Sequence, residues 1–158
     1  MAYWLMKSEP DEFSIEDLER TRTTPWFGVR NFQARNFMRE QMQLGDLAFF
    51  YHSSCPEPGI AGICEVSAPA YPDASQFDPK SPYFDAASKR ESPRWYNVDV
   101  RFVRRTRLVG LPELRAEPRL ATMRTLRRGN RLSITPVTPA EWQVVLELMK
   151  QDRSSSGA

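Results

Sequence analysis

Cysteine and histidine are scarce in this sequence of 158 residues, which contains two cysteines, Cys55 and Cys64, and one histidine, His52. Two thiols are too few for a disulfide framework, and the chain has no HExxH motif, no cysteine–histidine quartet and no carboxylate cluster at ligand spacing. We therefore expect no metal and no cofactor. No apolar run approaches the roughly 20 residues that span a bilayer, and charge follows Met1 too closely for a signal peptide. A cytoplasmic protein without a membrane partner is expected, or a nuclear one if the source is a eukaryote.

Glycine is also infrequent, with seven residues against thirteen prolines, so the chain breaks into short elements. Apolar and alternating patterns predict strands at 3–7, 46–53, 60–66, 95–109 and 132–135. Capping signals at Ser14, Asn31 and Thr138 predict helices at 15–20, 31–42 and 139–150, and two further short helices are predicted at 111–115 and 119–126. Together they indicate an α+β fold with a mixed sheet curled into a small barrel. The stretch 69–93 is rich in Pro, Asp and Ser and is expected to form one wall of a site. We predict one domain over residues 1–150 and a disordered polar tail over 151–158.

Positive charge is concentrated in one third of the chain. Residues 101–131 hold ten arginines against two glutamates, Glu113 and Glu117, although the net charge of the whole chain is only +2. Such a footprint suits the phosphates of nucleic acid. The alternative is that the arginines reflect codon bias and form an ordinary solvated surface.

The segment 26–37 joins an aromatic loop to a helix. Asn31 is a suitable N-cap, so the helix that it begins presents free backbone N–H groups beside Trp26 and Gly28. That combination suits a flat polar ligand such as a nucleobase. In the alternative interpretation, Trp26 and Phe27 belong to the core and Asn31 only caps the helix. Arg30 is expected either to contact a phosphate or to brace the loop.

Further polar and aromatic residues are expected to meet at one end of the predicted barrel. Lys7 and Ser8 end the first strand and Ser53 ends the strand at 46–53, while Trp95, Arg131 and Ser133 are candidates for the rim. Aromatic, hydroxyl, amide and cationic groups together suit a base turned out beside its phosphate. His52 is adjacent to Ser53, and neighbouring strand residues face opposite ways, so a catalytic triad is a poor fit. The set indicates binding rather than catalysis.

Four motifs carry a family resemblance, at 3–10 (YWLMKSEP), 26–31 (WFGVRN), 49–53 (FFYHS) and 131–137 (RLSITPV). In this order they resemble the EVE domain family over nearly the whole chain. The resemblance implies a PUA-like fold, a compact mixed β-barrel with surrounding short helices, related to ASCH domains. It also implies non-catalytic recognition of a modified base, of the methylated or oxidised cytosine type, in DNA or RNA.

The residues expected to bind the base come from these motifs and from the candidate rim. They are Lys7, Ser8, Trp26, Gly28, Val29, Arg30, Asn31, Tyr51, His52, Ser53, Trp95, Arg131 and Ser133. One alternative is an enzyme that acts on a nucleoside or small amide in the same pocket, with Lys7 or His52 as its acid–base group. Another is a protein-interaction module with an incidental pocket. The oligomeric state is left open, with a monomer favoured.

Overall fold

A six-stranded mixed sheet forms the centre of the protein. The computed structural model describes residues 1–151, and residues 152–158, where the sequence predicts a disordered tail, lie outside the described part. The division after residue 150 therefore stays a prediction. The strands are β1 (Tyr3–Ser8), β2 (Thr23–Pro25), β3 (Leu47–His52), β4 (Gly59–Pro72), β5 (Tyr96–Gly110) and β6 (Ile134–Val137).

Helices surround the sheet and begin where the capping signals predict. They are α1 (Ile15–Thr21), α2 (Phe32–Asn36), α3 (Leu111–Ala116) and α4 (Pro139–Lys150). Ser14 with Asp17 and Thr138 with Glu141 form complete capping boxes at α1 and α4. The Asn31 side chain accepts a hydrogen bond from the Ala34 N–H at 3.0 Å and so caps α2.

The strand order is β2-β5-β4-β3-β1-β6, with β1 and β3 parallel and the other neighbours antiparallel. Two backbone bonds continue the ladders past the ends of the strands. The Lys7 N–H donates to the Ser133 carbonyl at 2.8 Å, and the Ser53 N–H donates to the Ser8 carbonyl at 2.9 Å. The ends of β1 and β3 and the beginning of β6 therefore meet, as the sequence predicts.

Each face of the sheet has its own apolar core. Trp4, Met6 and Phe50 point to the face covered by α1 and α2, whereas Leu5 and Phe49 point to the face that packs on Trp142 of α4. Gly62 of β4 allows the first face to close, because a Cβ at this position would overlap the Ile15 side chain of α1. This close approach explains the glycine that interrupts the predicted strand.

Several predicted boundaries are wrong. β4 runs on to Pro72 because it pairs irregularly with the long β5 up to Tyr96. The predicted helix 119–126 is two separate 3₁₀ turns, Pro118–Leu120 and Arg124–Leu126. The predicted helix 31–42, by contrast, is confirmed to within one residue at each end, since α2 continues as a π-helical turn, Phe37–Gln41, before Gly45. The last predicted strand, 132–135, lies two residues further on, where β6 pairs with β1.

The stretch between β4 and β5, which we call the 73–95 segment, is held by two buried polar side chains. Gln76 donates to the carbonyl groups of Asp73 and Trp95 and accepts from the Trp95 N–H. The fully buried Asp73 carboxylate accepts from the Gly28 N–H at 2.8 Å, from Arg30 at 3.1 Å, and from the N–H and hydroxyl of Ser75. Asp73 therefore fixes the loop 26–31 to this segment.

Replacing Asp73 should destabilise the protein strongly. The substitution Asp73→Ala leaves the Gly28 N–H and the Arg30 guanidinium without their buried acceptor, and breaking a buried ion pair costs about 3–5 kcal/mol. Urea denaturation should show a free energy of unfolding that is lower by that amount. Asp73→Asn keeps one acceptor oxygen and should lose less. A loss below about 1 kcal/mol for Asp73→Ala would contradict the proposed role of the carboxylate.

Acid should weaken the same contact. Burial alone would raise the pKa of Asp73, but the hydrogen bonds from Ser75 and Gly28 and the Arg30 guanidinium outweigh it and hold this pKa below its usual 3.8. A carboxyl with a lowered pKa in the folded state contributes stability above about pH 4 and loses it as the pH falls through the folded pKa. The wild type should therefore lose more stability on acidification than Asp73→Ala, as measured by urea denaturation at a series of pH values.

Candidate functional site

A pocket of about 420 Å³ opens where the two edges of the sheet approach each other. Residues from the end of β1 and from the approach to β6 line it on one side, and residues from β2 and the following loop line it on the other. The lining residues are Lys7, Ser8, Glu9, Glu12, Phe13, Thr24, Pro25, Trp26, Phe27, Gly28, Val29, Arg30, Tyr83 and Ser133. Since β2 and β6 are opposite edges of the sheet, the sheet is curled strongly enough for both to border one site.

Lys7 brings a partly desolvated cation to the pocket. Its ammonium group lies 5.6 Å from the centroid of the Tyr51 ring, and burial lowers the pKa of Lys7 from its usual value. The adjacent Ser8 hydroxyl donates a 2.6 Å hydrogen bond to the Phe13 carbonyl. Ser8 therefore secures the turn that leads to α1, and Lys7 supplies the donor group.

Aromatic side chains line the opposite part of the pocket. Trp26 is 8% exposed and packs edge-on against Phe50 at 5.6 Å, so it belongs both to the core and to the pocket lining. Phe27 is 53% exposed and meets the Tyr83 ring edge-on at 5.8 Å. Gly28, with φ of 83°, permits this arrangement because a Cβ there would lie 2.9 Å from the Tyr83 ring.

Arg30 braces the loop. Its five N–H groups make five hydrogen bonds, to the carbonyl groups of Val29 and Tyr83, to the Asp73 carboxylate and to the Ser75 hydroxyl. No donor is left for a phosphate. Of the two roles predicted for Arg30, the structure shows the structural one.

Two exposed carboxylates, Glu9 and Glu12, give the pocket mouth an acidic character. Burial raises the pKa of Tyr83, and the negative charges of Glu12 and Glu9 raise it further. Because Arg30 is neutralised by Asp73, the uncompensated charges around the pocket are the positive charge of Lys7 and the negative charges of the two glutamates. The site thus offers both hydrogen-bond donors and strong acceptors.

The other predicted site residues lie outside the lining of this pocket. Asn31 is occupied as the cap of α2, and Tyr51 is buried in the core on the α4 face. His52 accepts the Ile15 N–H at 3.1 Å beside a separate cleft that also contains Glu16 and Arg105, and burial lowers the pKa of His52. Ser53 extends the sheet, Trp95 is buried against Phe32, and Arg131 is exposed.

Sequence reasoning missed several lining residues, and most of them have a local signal. Glu9 belongs to the motif that contains Lys7, and Thr24 and Pro25 directly precede Trp26. Glu12 and Phe13 occupy the turn before Ser14, the residue that caps α1. Tyr83 is different, because no short-range pattern brings it to the loop. Tyr83 lies in the stretch 69–93, which the sequence predicts to form one wall of a site. From that stretch, the structure places Tyr83 alone in the pocket lining.

The lining suits binding of a flat ligand with polar edges. Among the residues that line the pocket there is no cysteine and no histidine. Within residues 1–151, no three His, Cys, Asp or Glu side chains are grouped to hold a metal ion. In the same part of the chain, no helix is long and apolar enough to cross a membrane.

Comparison with known proteins agrees with this fold. The chain is 45% identical to thymocyte nuclear protein 1 of Homo sapiens, covering 97% of this chain and 76% of that protein. A crystal structure of human THYN1 protein in complex with DNA containing 5-methylcytosine has a TM-score of 0.91 at 45% identity, covering 96% of this chain and 99% of that one. A crystal structure of a Pseudomonas syringae protein also has a TM-score of 0.91, at 50% identity, covering 94% and 99%.

A more distant structural neighbour is an ASCH protein of Zymomonas mobilis, with a TM-score of 0.57 at 11% identity, covering 95% of this chain and 100% of that one. This likeness concerns the fold alone, and it agrees with the PUA-like architecture implied by the motifs. The EVE domain family itself matches residues 2–148, which is nearly all of the described chain. The chain therefore belongs to the EVE domain family.

Proposed function

We propose that the pocket binds one modified nucleobase, of the methylated or oxidised cytosine type, in DNA or RNA, without chemical conversion. The observation that carries the proposal is the combination of aromatic rings with a half-buried ammonium donor and two carboxylate acceptors around a cavity of about 420 Å³. This volume lies within the range of about 300–1,000 Å³ of small-molecule sites. The human relative in complex with 5-methylcytosine DNA supports the same class of ligand.

The polar groups of the pocket complement the edge of a cytosine. Cytosine presents an amino donor at N4 and acceptors at N3 and O2, and carboxylates are suitable acceptors for the N4 amino group. Glu9 or Glu12 would accept from N4, while Lys7 would donate to the acceptor edge. Val29 and Pro25 supply apolar surface for a substituent at C5. A base inside a duplex does not reach such a pocket, so the ligand is a base in a single strand or one flipped out of the helix.

Binding without catalysis is favoured by the absence of an activated nucleophile among the pocket hydroxyls. The Ser8 and Thr24 hydroxyls each donate to a backbone carbonyl, and the lining contains no histidine that would act as a base for Ser133. The alternative enzyme would have to use Lys7 as its acid–base group. Incubation with methylated nucleosides and small amides should give no turnover.

The predicted nuclear or cytoplasmic location suits a nucleic-acid partner and stays a prediction.

The function is tested by comparing oligonucleotides that differ in one base. Single strands of DNA and RNA carrying one cytosine, 5-methylcytosine or 5-hydroxymethylcytosine should bind with different affinities in fluorescence anisotropy. At least one modified base should bind about tenfold more tightly than plain cytosine, which corresponds to about 1.4 kcal/mol. Equal affinity for all of them would remove the proposal of modified-base recognition.

Removing the Lys7 charge should weaken binding of the base itself. Lys7→Met keeps the length of the side chain and deletes a charged hydrogen bond worth about 1.5–3 kcal/mol, so affinity for 5-methyldeoxycytidine should fall roughly tenfold to a hundredfold. Burial lowers the pKa of Lys7, so Lys7 should lose its proton at a pH below the usual lysine pKa. As the pH rises through that range, the affinity of the wild type should decline, whereas the affinity of Lys7→Met should not. Lys150→Met is the control. An unchanged affinity in Lys7→Met would exclude contact with the base.

Arginines that follow the helical turn at Arg124–Leu126 should contact flanking phosphates. Arg127, Arg128 and Arg131 are exposed, they lie just before the pocket residue Ser133, and no acidic residue occurs between residues 118 and 140. Each phosphate contact that is lost should reduce the slope of log affinity against log salt by about one. Changing Arg127, Arg128 and Arg131 together to glutamine should lower the affinity for modified and plain strands by the same factor. Arg119→Gln, which removes an arginine paired with Glu117 and Glu147, should leave the slope unchanged.

A further inference from the structure

We propose that a row of aromatic and arginine side chains beside the pocket binds the nucleotide that flanks the recognised base in a single strand. The row consists of Phe27, Tyr83, Arg30, Trp95, Phe32, Arg35 and Arg94. The inference rests on the proposed function, because it assigns a second contact surface to the same nucleic acid. It also assigns a role to the exposed aromatic ring of Phe32, which has no part in the pocket lining.

The members of the row contact one another in sequence. Phe27 meets Tyr83 edge-on, and the Arg30 guanidinium lies 5.7 Å from the Tyr83 ring and 5.2 Å from the Trp95 ring. Trp95 then stacks on Phe32 with centroids 4.7 Å apart and an angle of 19° between the planes. The row is therefore continuous from the pocket lining, at Phe27 and Tyr83, to Phe32 outside it.

Both ends of the row are open to solvent, whereas its middle is fixed. Phe27 is 53% exposed and Phe32 is 47% exposed, but Trp95 is buried and its indole N–H is bound by Asp85 at 2.7 Å. Arg30 uses all of its donors within the protein. The exposed rings therefore sit on a rigid support, which lowers the entropic cost of stacking a base against them.

Two guanidinium groups supply charge at the outer end of the row. Arg35 lies 4.7 Å and Arg94 lies 5.4 Å from the centroid of the Phe32 ring. The hydrogen bonds of Arg35 go to Asn36 and to the Arg94 carbonyl and use three of its five N–H groups, so two remain. Arg94 has a side chain that is 40% exposed and is only loosely paired with Asp85 at 3.4 Å.

Aromatic rings and guanidinium planes beside free cationic donors match a single-stranded nucleotide. A base stacks on flat side chains without regard to its identity, and its phosphate binds the cations. This surface would therefore strengthen binding of any sequence around the modified base, while the pocket alone reads the modification. A protein partner, the competing occupant, would not require the surface to act together with a base in the pocket.

The test compares 5-methyldeoxycytidine as a free nucleoside with a short single strand that carries one 5-methylcytosine between thymidines. Both are titrated with the full-length protein. In the wild type the strand should bind more tightly than the nucleoside. Phe32→Leu, which keeps most of the side-chain volume but lacks a flat ring, should weaken binding of the strand about tenfold and leave nucleoside binding unchanged. Phe32→Tyr should retain the affinity for both.

A charge variant provides a second measurement that does not involve the ring. Arg94→Gln should weaken binding of the strand and reduce its salt dependence, whereas the ion-paired Arg119→Gln should change neither. The inference is overturned if the strand binds no more tightly than the nucleoside, or if Phe32→Leu loses affinity for both ligands equally. In either case binding of the nucleoside would still support the pocket. If the wild type binds neither ligand, the proposed function fails together with this inference.

Discussion

The carboxylate of Asp73 is the constraint on which the geometry of the site depends. It is fully buried, and it accepts hydrogen bonds from the loop that contains Gly28 and Arg30 and from Ser75 in its own segment. A buried charge is tolerated only when its acceptor positions are filled, so the loop has little freedom to depart from this arrangement. The position of Tyr83 and the order of the rings around Arg30 follow from that one anchored group.

The sequence predicts what is decided locally. The capping boxes at Ser14 and Thr138, the cap at Asn31 and the strand that ends at Ser8 depend on neighbouring residues, and the structure contains all of them. The sequence does not predict contacts between residues that are far apart in the chain. The bonds from Arg30 to Asp73 and Tyr83 join loops far apart in the chain, and no periodic pattern encodes them. The two neighbours Tyr51 and His52 were predicted to share the site, although alternation along β3 turns them to opposite faces, and neither lines the pocket.

The proposed function assigns recognition of the base and attraction of the nucleic acid to different parts of the protein. The pocket combines one lysine with two glutamates, so its own charge does little to attract a polyanion. Positive charge is found instead on the exposed arginines before Ser133 and at the outer end of the aromatic row. Under the proposed function, this division would let phosphate contacts act on every sequence alike, while the hydrogen-bonding groups inside the pocket would discriminate between bases.

The parallel pairing of β1 with β3 has a consequence for folding. Parallel neighbours require a crossover connection, and here that crossover contains α1, β2, the loop 26–31 and α2. Most of the pocket lining is therefore carried on a chain segment whose two ends are joined only when β1 and β3 pair. Of the remaining members, Lys7 and Ser8 end β1, whereas Tyr83 and Ser133 come from more distant segments. Pairings of this range are slow to form, so we expect the pocket to be completed late, at the same stage as the whole sheet.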